Sequence, residues 1–143
     1  MISTELQRLL TTHPVVFFHL LTALAALLLG GVVLARRKGS VRHKALGRVW
    51  VLMMGSTAVA SAFIRDYQLP NLFGFTPLHG FTLMVAILLP RGIWHIRRGH
   101  VVAHRKTMRA LYIGACVLAG IFTLLPGRFL GNLLWQQTLG IMA

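Results

Sequence analysis

The sequence predicts an all-α fold: a four-helix transmembrane bundle built from two tandem helical hairpins, with both termini outside. Three observations carry this. Hydrophobic residues make up 56% of the 143 and charged residues only 12%, which points to an integral membrane protein. Four stretches, approximately 15–35, 45–64, 76–96 and 107–125, each have the length that spans a hydrocarbon core, which takes about 20 mostly apolar residues. In lipid every backbone amide needs an internal partner, so such stretches form helices. Finally, the second half of the chain echoes the first. His19 returns as His79 and His43 as His104, about sixty positions on; Lys38-Gly39 returns as Arg98-Gly99, and Arg48 as Arg109. A parallel repeat of this kind places two hairpins side by side in one orientation. The whole chain, 1–143, is then one domain.

The elements follow in order. An outer arm leads to Pro14, which suits the first turn of a helix because its missing N–H costs nothing there. Gly39 ends the first helix and Ser40 is an N-cap for the second, which carries His43 on its first turns and ends near Arg65-Asp66. A loop with Pro70, Asn71 and Gly74 follows. The third helix starts near Thr76-Pro77 and meets Pro90, which is expected to bend or break its cytoplasmic end. Gly99 closes that segment, the fourth helix carries His104, and Pro126-Gly127 stops it. The tail, 127–143, has Phe129, Leu130, Leu133, Leu134 and Trp135 with few charges, and is expected to lie flat at the interface. Trp50, Trp94 and Trp135 read as interface anchors.

The net charge of +13 does not signal nucleic acid. Twelve of the fifteen Lys and Arg residues fall between Arg36 and Arg48 or between Arg91 and Arg109, at the two turns on one side of the membrane. The positive-inside rule makes that side cytoplasmic in a bacterial inner membrane, and membrane lipid with anionic headgroups is the natural partner. The only acids are Glu5 and Asp66, so paired-carboxylate chemistry is not expected. Cys116 is alone, which excludes a disulfide within the chain.

The matched histidines carry the functional reading. An ionisable residue inside a span is costly and marks a site by default. His19 and His79 lie near the outer ends of the first and third helices, at nearly one depth; His43 and His104 lie at the cytoplasmic starts of the second and fourth. If helices one and three are diagonal, and two and four likewise, each pair faces across the core, as cofactor sites in bundles do. Two bis-imidazole haem b sites, roughly 20 Å apart by helix rise, suit electron transfer across a bilayer. Gly47, one turn after His43, opens room for a ring; its counterpart Met108 is expected to pack on the ring or to act as a ligand. Arg48 and Arg109 are placed to neutralise propionates. The same histidines also allow zinc or copper, although two histidines without Cys, Asp or Glu are a thin ligand set for zinc. His13, His95 and His100 read as interfacial, and Tyr112 as structural.

At His19, at His79, and in the runs His43-Lys44-Ala45-Leu46-Gly47-Arg48 and His104-Arg105-Lys106-Thr107-Met108-Arg109-Ala110-Leu111-Tyr112, the chain resembles a family of predicted bacterial membrane proteins, domain-of-unknown-function family 2306. Thr107 stands where many relatives carry tryptophan. The resemblance implies a four-helix membrane fold. The layout is also similar to that of cytochrome b561 and related di-haem membrane cytochromes, a likeness of architecture alone. The expectation is therefore a b-type haem protein, with one or two haems, passing electrons to or from quinone or a small oxidant, as a monomer, a homodimer or part of a larger membrane complex. The competing expectations are a metal-ion or small-molecule permease, with the histidines along its path, or an accessory membrane subunit of a larger enzyme.

Overall fold

A computed structural model gives the architecture; it describes residues 10–64 and 78–125, together with Thr4, Gln7, Phe73 and Gly131. The expected outer loop, Arg65-Asp66, Pro126-Gly127 and the expected flat tail, apart from those isolated positions, lie outside the described residues. Among the described residues the chain is all α, with no strand. Helix α1 spans Pro14–Ala35, α2 Val41–Phe63, α3 His79–Arg97 and α4 Val101–Leu111. A π-helical segment, Tyr112–Leu118, continues α4 without a break into a short α5, Ala119–Thr123. Helices α1 and α2 are long and apolar enough to cross a membrane.

Helix α1 begins with Pro14 at its first positions, as the proline's missing N–H allows. Its buried residues, Thr22, Ala26, Gly30 and Val33, recur every three or four positions and so share one stripe. All four are small or β-branched, which lets the neighbouring backbones approach closely. The opposite face carries Leu21, Leu24, Leu28 and Val32, which are exposed and apolar, the surface of a helix that faces lipid. Ser40 caps α2, its side chain accepting from the His43 backbone N–H at 3.1 Å. Lys38 Nζ donates to the carbonyl of Leu34 and so ties off the end of α1.

Two differences from the sequence expectation stand out. Helix α3 runs uninterrupted through Pro90; one missing N–H is tolerated where the flanking turns and neighbouring helices hold the rod in place. The fourth helix begins at Val101, just after Gly99, and carries His104 on its first turn as expected. It also widens into the π segment, where Gly114 receives the Met84 side chain of α3: a Cβ there would lie 2.6 Å from Met84 Cε.

Helix α1 packs on α2, α2 on α3, α3 on α4, and the π segment packs back on α1. This closed order sets α1 opposite α3 and α2 opposite the fourth helix. The core sits between, formed by Ala26, Val33, Trp50, Met54, Val85, Leu89, Leu111 and Cys116.

Candidate functional site

The level away from the basic turns, expected to be the outer one, is built on α1, α2 and α3. His19, half-buried on α1, places Nδ1 3.0 Å from the backbone carbonyl oxygen of Thr57 on α2. A carbonyl only accepts, so Nδ1 carries the proton and Nε2 keeps its lone pair. Around this contact the hydroxyls are satisfied locally. Thr57 Oγ1 donates to Met53 O at 2.8 Å, and Thr22 Oγ1 to Phe18 O at 3.0 Å. Ser61 Oγ donates to Ala58 O at 2.9 Å and pairs with Thr82 Oγ1 at 2.6 Å, a polar link between α2 and α3. His79 opens α3, half-buried, with its Nε2 shielded from solvent.

The level beside the basic turns, expected to be the inner one, repeats one device in each hairpin. His43 Nδ1 lies 3.3 Å from Val33 O, and His104 Nδ1 lies 2.8 Å from Gly92 O. Each histidine at the start of a returning helix thus reaches back to a carbonyl near the end of the helix before it. Both contacts protonate Nδ1 and leave Nε2 as the available donor atom. Gly47 has open space beside it, as its expected role requires. Arg48 and Arg109 are exposed. Met108 seats its side chain against Gly92, in the seam between α3 and α4. His13 and His100 are exposed, and His95 is half-buried.

Between the two levels the bundle is filled. Trp50 is only 4% exposed and donates from Nε1 to Ala26 O at 2.9 Å. This corrects its reading as an interface anchor: the indole N–H finds a carbonyl inside the bundle, so the ring need not sit at the headgroups. Tyr112 Oη donates to Leu27 O at 3.1 Å, the structural role expected of it. Cys116 Sγ lies 3.4 Å from Met54 Sδ, joining the π segment to α2 across the core. Trp94, 48% exposed, stays at the surface.

The structure therefore pairs His19, His43 and His104 with carbonyls, and it leaves Arg48 and Arg109 exposed. Among the described residues no three of His, Cys, Asp or Glu gather as a metal-binding group, so a four-ligand zinc centre finds no donor set there. Sequence reasoning missed Thr57, Val33 and Gly92, because they act through backbone oxygens that any residue supplies. It also missed Gly30, for which the adjacent pair Gly30-Gly31 inside a leucine-rich helix was the available signal.

One family model matches residues 16–142, nearly the whole chain; its description is "Predicted membrane protein (DUF2306)". No curated protein and no solved structure matches.

Proposed function

The chain belongs to the family of predicted membrane proteins DUF2306, and from that premise we propose that it crosses the membrane four times and binds haem b as an electron carrier. Both termini lie outside, and the two basic turns face the cytoplasm of a bacterial inner membrane. The placement of twelve cations at the turns 36–48 and 91–109 supports this orientation.

The observation that carries the haem reading is the repeated histidine–carbonyl contact. Histidines that ligate a metal characteristically donate their other ring N–H to a carbonyl or carboxylate, which fixes the tautomer and the ring plane. His19, His43 and His104 all do so. His19 and His79 stand on opposite helices at the outer level, His43 and His104 on opposite helices at the inner level. These residues would hold two bis-imidazole groups. Bound haem supplies a one-electron couple whose potential depends on axial ligation and burial.

The chain's own residues do the rest. The carbonyls of Thr57, Val33 and Gly92 aim the imidazoles. Arg48 and Arg109, at the cytoplasmic end, would meet propionate charge. Trp50, Met54, Leu111 and Cys116 exclude water from the layer between the levels. Electrons pass to or from quinone or a small oxidant on the outer side. Replacing His19 or His79 with alanine removes one spectral component and spares the other; retention of both components in both variants contradicts the assignment.

A further inference from the structure

The turn between α3 and α4 carries a pair of histidines that the repeat does not explain. His95 and His100 correspond to Ala35 and Ser40 in the first hairpin, so the pair is an addition to the second turn rather than part of the shared scaffold. The backbone presents it deliberately. Gly99 adopts a left-handed φ of +76°, and the His100 N–H closes onto His95 O at 2.9 Å. The two imidazole centroids end 6.1 Å apart, with planes inclined by 38°. Trp94 packs its ring edge-on to both, at 5.2 Å from His95 and 6.2 Å from His100.

Chemistry distinguishes this pair from His19, His43 and His104. Nδ1 of His19, His43 and His104 is spent on a carbonyl, whereas Nδ1 of His95 is buried with no hydrogen-bond partner. A buried polar atom left in this state calls for an explanation such as an ion. Two rings on one ion, with bonds of about 2 Å to each nitrogen, stand roughly 5–6 Å apart centre to centre. We propose that His95 and His100 bind a single monovalent copper ion at the cytoplasmic turn, independently of the haem sites.

The charge of the surroundings selects the ion. Arg98 stacks over Trp94 at 5.1 Å, and Arg97, Arg105 and Lys106 are close along the chain. Among these cations a monovalent ion is repelled half as strongly as a divalent one. Zinc, which prefers four ligands, finds two here. Neutral imidazole suits copper, and a reducing cytoplasm, where the orientation proposed above places this turn, keeps the ion monovalent.

The test is an anaerobic titration of the detergent-purified full chain, stripped of metal, with Cu(I) buffered by a chromophoric chelator. Wild type is expected to take up one Cu(I) per chain and to lose part of its tryptophan emission. His95→Ala and His100→Ala each lower the affinity at least tenfold. Trp94→Phe keeps the copper and loses the quench. His19→Ala and Cys116→Ser, with helical content checked by circular dichroism, leave uptake unchanged whether or not haem binds. No uptake by wild type, or uptake undiminished in both turn variants, overturns the site; so does uptake lost with Cys116→Ser, which assigns the copper to the Cys116–Met54 pair instead.

Discussion

Gly30 is the residue on which the middle of the bundle turns. A Cβ there would lie 2.5 Å from Trp50 Nε1 and 2.6 Å from Tyr112 Cδ2, closer than real side chains approach. Its hydrogen-sized side chain is what allows both aromatics to reach the adjacent carbonyls of Ala26 and Leu27. Gly30→Ala is therefore expected to displace both rings and to destabilise the protein by about 1–3 kcal/mol, the usual cost of overpacking a filled core. A lowered midpoint in thermal unfolding, with the loss shared by Trp50→Phe, checks it. The histidines were legible at this scale because a polar residue recurring at matched depths in apolar helices has few ordinary explanations. Trp50 was not, because the preference of tryptophan for interfaces says nothing about a carbonyl waiting inside.

At the scale of elements, the two hairpins are built alike. Each has a left-handed glycine in its turn, Gly39 at φ +81° and Gly99 at φ +76°, and each returns a histidine to the helix before it. The turns differ in their caps: Ser40 bonds the His43 N–H, while His100 makes no side-chain cap contact. Ser40→Ala should thus weaken the start of α2 by about 1 kcal/mol, with Ser40→Asp restoring most of it; a destabilisation by alanine that aspartate does not rescue would deny the cap. Helices α1 and α2 and the Ser40 cap could be read directly from the sequence. The π segment could not: Tyr112–Leu118 is apolar throughout, and nothing in such a run distinguishes an α turn from a wider one.

For the whole molecule, the closed packing order makes a definite claim about topology. Both basic turns must lie at the same end. Val41 and Val102, each 83% exposed beside one of those turns, report on it. In a Cys116→Ser background, Val41→Cys and Val102→Cys should both react with a membrane-impermeant maleimide in inside-out vesicles and resist it in right-side-out ones. Labelling from opposite faces would break the tandem-hairpin arrangement. The diagonal placement of the histidine-bearing helices was stated from sequence only as a condition, because a repeat fixes orientation and depth but not which helices are neighbours. Packing settles that, through the small-residue stripe of α1 that admits the π segment beside it.

The measurement that bears most directly on the haem reading is a dithionite-reduced minus oxidised absorption spectrum of the detergent-purified protein, with the haem counted as its pyridine haemochrome. Sharp reduced α and Soret bands with one or two b haems per chain are the expected result. A colourless protein, purified from cells grown with ample haem, would contradict it.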